Sequence, residues 1–158
     1  MLFDPELFEE QLFQDTPTPT GPPQFEEALV ARLRAATAIT SLVGTYNNRP
    51  AIDWVERPEA LPAITLQGFA PGRIYNFDGP RSLEEPVVQI DCWGESYGVT
   101  KLIERAVIAE LEQQATVSGV AFQNGFLADA RAMNPEDLAS GTKVFRQSLD
   151  FRLFFTPA

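Results

Sequence analysis

The residues with a catalytic spacing are Gly94-Glu95-Ser96-Tyr97-Gly98, a literal G-x-S-x-G between a run of strand character and a run of helix character. A nucleophile elbow in that position would raise a serine hydroxyl toward an acyl carbon. Such a serine needs a base to take its proton, and the chain contains no histidine. That one absence removes Ser-His-Asp and Cys-His arrangements, histidine bases and histidine-ligated metals together. Lys101 follows Ser96 on the same expected helix, on a face where its ammonium stays solvated and charged. The hydrolase fold is also much longer than 158 residues. The simpler expectation is that Ser96 caps the helix and Gly94 permits the tight turn into it. A small serine hydrolase using this motif is the alternative from a different functional class.

Paired carboxylates could divide acid and base roles or hold magnesium. Glu84-Glu85, Asp53 with Glu56, and Glu136-Asp137 all fall in or beside expected loops, with no apolar surround to raise a pKa, and so read as solvated charges. Cys92 is the only cysteine, which excludes an internal disulfide and a cysteine zinc cluster. Inside a strand-like run it reads as a small buried hydrophobe. There is no P-loop or dinucleotide glycine pattern, and the basic residues form no patch. The chain thus reads as a protein without catalytic residues, cofactor or metal.

The elements around these residues follow from periodicity. Phe25, Leu29, Val30 and Leu33 make one apolar stripe of a helix over residues 25 to 36. A short turn over 38 to 43 follows, with Gly44 as its expected C-terminal stop. Strand signals occupy 51 to 55, 63 to 66 and 87 to 93. Between the last two, Gly68 to Glu85 reads as a long irregular stretch with Phe69, Ile74, Tyr75 and Phe77 among its glycines and prolines, and a loop of that length in a small domain is usually functional or disordered. Residues 96 to 112 form the clearest helix, with Val99, Leu102, Ile103, Ala106, Val107 and Leu111 on one face. Two strands close the chain, 126 to 133 and 143 to 155. In the second, Phe145, Leu149, Phe151, Leu153 and Phe155 share one face while Arg146, Ser148, Asp150 and Arg152 take the other. This order predicts an α+β fold: an antiparallel or mixed β-sheet with two main helices packed on one face.

A chain of this length makes about one domain. No apolar run approaches the ~20 residues of a membrane-spanning helix, and the N-terminus lacks the basic start and apolar stretch of a secretory signal, so no membrane partner is expected. The formal charge is −10, and residues 1–27 carry seven of the 22 acids and none of the 12 bases. Such a balance argues against nonspecific binding to a phosphate backbone. Residues 1–23 read as an acidic N-terminal arm: Asp4 and Pro5 start a short amphipathic helix bearing Leu7, Phe8, Leu12 and Phe13, and a Thr-Pro linker follows. Either the arm is a solvated tail or its paired large apolar residues dock on a neighbouring subunit. Residues 24–158 form the folded domain.

Four pieces of this domain, in order, carry a resemblance. They are Phe25 to Gly44, Leu61-Pro62-Ala63-Ile64-Thr65, Val87-Val88-Gln89-Ile90-Asp91-Cys92-Trp93-Gly94-Glu95-Ser96-Tyr97, and Gln147-Ser148-Leu149-Asp150-Phe151. Over residues 24 to 157 the chain resembles the tail terminator, or tail completion, family of long-tailed bacteriophages and gene transfer agents. The pieces are short, and their order and spacing carry the likeness. The resemblance implies a non-enzymatic subunit that forms a hexameric ring at the head-proximal end of the tail tube, capping the tube and joining the tail to the head. It implies as partners other copies of the chain in a homo-hexamer, the major tail tube protein and a head-tail connector or stopper protein, with DNA passing through unbound. The implied location is the virion tail, after assembly in the bacterial host cytoplasm. A head completion or connector-stopper protein is the alternative within the same setting. No catalytic residue transfers from this family, and the arm lies outside the likeness. A ring needs contacts between copies, and the expected contact residues are Phe69, Tyr75 and Phe77, with Arg73 and Arg81 as partners for acids across the joint, and Leu7, Phe8, Leu12 and Phe13 of the arm.

Overall fold

The computed structural model describes residues 24–69, 75–80 and 82–157. Helix α1 (Phe25–Ala35) starts where the Gln24 amide donates to Glu27 Oε2 at 3.0 Å, and carries acids in its first turn and arginines in its last, the arrangement its macrodipole favours. A single turn, α2 (Thr37–Thr40), buries Ile39. Strands β1 (Thr45–Tyr46) and β2 (Arg49–Pro50) form a hairpin. Its central residues Asn47 and Asn48 both have positive φ, the backbone of a primed turn that asparagine tolerates.

The sheet proper contains β3 (Ile52–Trp54), β4 (Ala63–Phe69), β7 (Val87–Gly94), β10 (Phe126–Ala132) and β12 (Lys143–Arg152). Before β7 the chain makes the small hairpin β5 (Tyr75–Asn76) and β6 (Gly79–Pro80). After it come α3 (Tyr97–Leu111) and a second hairpin, β8 (Ala115–Val117) and β9 (Val120–Phe122). The strand order is β10-β12-β7-β4-β3, with β11 (Glu136–Asp137) also paired to β12. Only β3 with β4 is parallel; the other pairings are antiparallel. The chain ends in β13 (Phe155–Thr156), which joins β9 and β8 in a three-stranded sheet.

Helices α1 and α3 cover one face of the main sheet. The register puts Ile64, Leu66, Val88, Ile90, Cys92, Leu149 and Phe151 on that face, where they join Leu29, Leu33, Ile103, Val107 and Leu111 in one core. Burying such side chains contributes roughly 1.5–3 kcal/mol each. Phe25 stacks on Phe155 at 4.6 Å and lies 6.1 Å from Phe122, closing one end of the core. Arg32 of α1 is almost fully buried and holds the end of α3: it donates to Glu110 Oε1 at 3.0 Å and to the Gln113 carbonyl at 2.8 Å, with its guanidinium 5.3 Å above the Phe122 ring. A cation there satisfies carbonyls that a helix C-terminus leaves open.

The α+β layer arrangement agrees with the sequence reading, and several details depart from it. Gly44 does not stop a helix; its amide donates to the Pro62 carbonyl at 2.8 Å, and a Cβ there would meet the Leu61 carbonyl oxygen at 3.0 Å. On α3, Leu102 faces outward at 49% exposure, while Thr100 and Glu104 are buried beside Ile103 and Val107. Glu104 reaches its neutralising partner Lys101 at 2.6 Å. The stretch from Gly68 to Glu85 is not wholly irregular, since β4 runs on to Phe69 and β5–β6 forms within it. Periodicity also passes over the β8–β9 hairpin, whose Ser118 and Gly119 take positive φ. The last strand stops at Arg152, and Leu153 and Phe155 stay buried beyond the break.

Candidate subunit interface

The candidate catalytic serine is occupied as a cap. Ser96 Oγ accepts from the Val99 amide at 3.3 Å and starts α3, and Lys101 is paired with Glu104 rather than turned to Ser96. Burial pushes the Cys92 thiol far up, with the Glu104 and Asp91 charges adding to it, so it stays protonated and unreactive. Asp53 accepts from both Arg34 and Arg49, at 2.9 and 2.7 Å, and Glu136 and Asp137 are exposed on β11. Asp53 and Glu56 line one depression of about 300 Å³ with Tyr46, Arg49 and Arg57, where the two arginines paired with Asp53 hold it as a charged ion-pair member and Ser96 and Cys92 take no part. Among the described residues no group of three metal-ligating side chains gathers, and no helix is long and apolar enough to cross a membrane.

The face of the sheet turned away from the helices has two ends. At one, Ala51, Ala63, Trp93 and Val144 cluster under Tyr46, Leu61 and Leu138. Trp93 donates to Thr65 Oγ1 at 3.0 Å and lies between two guanidinium groups, Arg57 at 5.0 Å and Arg146 at 4.9 Å from its ring. Asp91 sits beside it, buried, accepting from Gln89 Nε2 at 3.2 Å with Arg146 3.9 Å away. At the middle, Arg131 of β10 bridges Asp150 and Asp129, at 3.1 and 2.8 Å. The hydrogen bond to Asp150, then that to Asp129, raises the Arg131 pKa further above its ordinary value.

The other end is apolar, and nothing covers it among the described residues. Phe126 pairs in register with Arg152 on this face and meets the Phe154 ring edge-on at 5.7 Å. With Ala128 they line a depression of about 470 Å³. A smaller one of about 280 Å³ lies across the same two rings, bounded by Leu83, Gln123 and Asn124. Phe126 is 60% exposed. The register of β10 shifts between Leu127 and Asp129, which makes Ala128 the extra residue of a bulge.

The two edges of the sheet differ in the same sense. Beyond β10 no further strand pairs among the described residues, and six of its seven residues are exposed. At β3, the Ala51 carbonyl and Val55 amide are taken by β4, so the Ile52 carbonyl points outward. Arg34 donates to it twice, at 3.1 and 2.7 Å. Burial lowers the Arg34 pKa, as does nearby Arg49, and Asp53 works against both.

Of the residues expected at a subunit contact, Tyr75 and Phe77 lie on the β5–β6 hairpin, Tyr75 66% exposed and Phe77 fully so. Phe69 ends β4. Arg73, Arg81, Leu7, Phe8, Leu12 and Phe13 lie outside the described residues. The sequence reading missed Phe126, Ala128, Arg152 and Phe154. The available signal was the segment Phe126-Leu127-Ala128-Asp129-Ala130-Arg131-Ala132, whose two adjacent large apolar residues precede an alternation with only alanine on its apolar side, the pattern of a strand with little to bury.

The sequence model of the family described as tail completion protein gp17 matches residues 27–156. No curated protein matches the chain. Among solved structures, a chain described as the virion of a native gene transfer agent particle superposes with a TM-score of 0.59 at 17% identity, over 89% of this chain and 100% of that one. At that identity the likeness is one of fold.

Proposed function

The chain belongs to the tail completion protein gp17 family, and we propose that it acts as a tail terminator, forming a ring of its own copies that caps the tail tube and joins the tail to the head. It is a structural component of the virion and performs no catalysis. The observation that carries the ring is the inequality of the molecule's two sides. One sheet edge is sealed by Arg34, while the other pairs with no further strand among the described residues and lies beside an apolar groove. A surface that can join on one side only through a different patch of the next copy makes head-to-tail contacts, which close into a ring when the rotation allows. The formal charge of −10 suits a collar through which DNA slides, because such a surface does not release counterions from phosphate. The β5–β6 hairpin, with Tyr75 and Phe77 exposed, supplies the contact to the neighbouring copy, with Phe69, Arg73 and Arg81 near it in sequence, and the arm bearing Leu7, Phe8, Leu12 and Phe13 adds a second hold.

The test is native mass spectrometry together with negative-stain imaging of the full chain, alone and mixed with major tail tube protein. Six-fold rings, preformed or formed on the tube, are the expected result. A chain that stays monomeric beside the tube overturns the reading. Binding to the portal side in place of the tube reassigns it as a connector or stopper protein.

A further inference from the structure

We propose that Phe77, at the tip of the β5–β6 hairpin of one copy, seats in the groove formed by Phe126, Ala128 and Phe154 on the next copy, with Asp78 facing Arg152 across the joint. This rests on the ring reading above and names its contact.

Two unpartnered features of the same chain carry the inference. Among the described residues the phenyl ring at the hairpin tip is fully exposed, and a fully exposed phenylalanine leaves a large apolar surface in water. The groove presents about 470 Å³ walled by two more phenyl rings. An apolar cavity of about 150 Å³ suffices to hold benzene, so one phenyl ring fits with room for the backbone behind it.

Charge gives the joint its orientation. The residue after Phe77 is Asp78, and the groove is bordered by Arg152. Neither makes an ion pair among the described residues. An aromatic anchor with a carboxylate beside it thus matches an aromatic pocket with a guanidinium beside it, and aromatic anchors in desolvated pockets dominate interface energetics.

The bulge at Ala128 bears on the alternative, direct pairing of β10 with a second β10. It interrupts the ladder where a partner strand would have to run, and bulges, like charged residues, blunt edges against such addition. Pairing of that kind would also be two-fold and would stop at a dimer. Knob and groove occupy different patches, so each copy has one of each to offer and the contact propagates until it closes.

The test uses the full chain, with sedimentation velocity and native mass spectrometry as readouts and thermal melting to confirm that each variant folds. Phe77→Ala removes the knob and Ala128→Trp fills the groove. Each is expected to weaken self-association about thirtyfold or more, the loss typical of an anchor residue. Mixed together, the two variants should form a one-to-one dimer through the single intact joint and go no further. Asp78→Arg and Arg152→Asp should each weaken assembly and restore it when combined in one chain. Wild-type rings alongside unchanged Phe77→Ala rings would overturn this contact and leave the ring reading intact, whereas a wild-type chain that never assembles, with or without tube protein, overturns both. Assembly lost on deleting residues 1–23 but kept in Phe77→Ala would give the groove to the arm instead.

Discussion

The main sheet ends differently on its two sides. At the β3 edge the strand is three residues long and stops at Val55, a β-branched residue held at φ 65° where such side chains are strained. Its outward carbonyl is taken by Arg34 and its Asp53 by two arginines. The Trp54 indole donates to the Glu26 carbonyl at 3.0 Å and its ring lies 6.3 Å from Phe25. At the β10 edge the strand is seven residues long, nearly all exposed, and carries the exposed Phe126 against a half-buried Phe154. Natural sheets close their edges because an open one recruits other chains. A molecule that ties down one side with four separate devices and leaves the other with only a bulge beside an apolar groove has a direction built into it. The closed side contributes to the stability of the single copy, and in the ring proposed above the other side receives the next copy.

This division makes predictions that differ in size and in the observable they move. The largest concerns the strand between the two edges. Leu149 is fully buried on the helix-covered face of β12, and Leu149→Ala should reduce unfolding free energy by about 2 to 5 kcal/mol in a denaturant titration. That is a large share of the roughly 5–15 kcal/mol of a typical domain. A loss near zero would mean that the covered face does not supply the stability assigned to it.

The second prediction opens the closed edge. Arg34→Ala removes two hydrogen bonds to the Ile52 carbonyl and one to Asp53, while Arg49 still holds Asp53. Because the arginine is partly exposed, the expected loss is about 1 to 2 kcal/mol. Freeing that carbonyl should also produce irregular, concentration-dependent association in light scattering, distinct from rings. A variant that melts lower but stays as well behaved as the parent would show that Arg34 stabilises the helix contact without guarding the edge.

The sequence shows the covered side far better than the open one, for a physical reason. A buried face imposes a period on the residues that build it, and Leu149, Phe151 and Leu153 on the last strand, or Ile103, Val107 and Leu111 on α3, display that period directly. The Ser96 cap and the absence of a base were legible in the same way, because capping is local chemistry. The groove was not, since Phe126 and Phe154 come from segments 28 residues apart in number and meet only through the register of β10 on β12. Arg32 was hidden similarly: an arginine on a helix reads as solvated, and only the packing of α1 against the end of α3 makes it a buried clamp. Leu102 shows the opposite error, an apolar residue on the expected stripe that faces outward, because α3 lies on β7 and β12 along a narrower contact than six apolar positions suggest.

The smallest effect on stability belongs to the open edge, and it separates the two sides most sharply. Phe126 is mostly in water, and the interaction it gives up in Phe126→Thr is chiefly one edge-on ring contact with Phe154. Such a contact contributes about 0.5 to 1.5 kcal/mol, and threonine is well suited to an exposed strand. The melting midpoint should therefore fall less than it does for Arg34→Ala. Assembly should fall more, since the same ring walls the groove on both sides and its removal leaves an arriving aromatic side chain half solvated. Stability lost in step with assembly would make Phe126 a misplaced core residue and would merge the two sides of the molecule into one. Assembly lost with the fold intact would locate the function of this edge outside the single copy, since no packing among the described residues accounts for a Phe126 ring left 60% exposed.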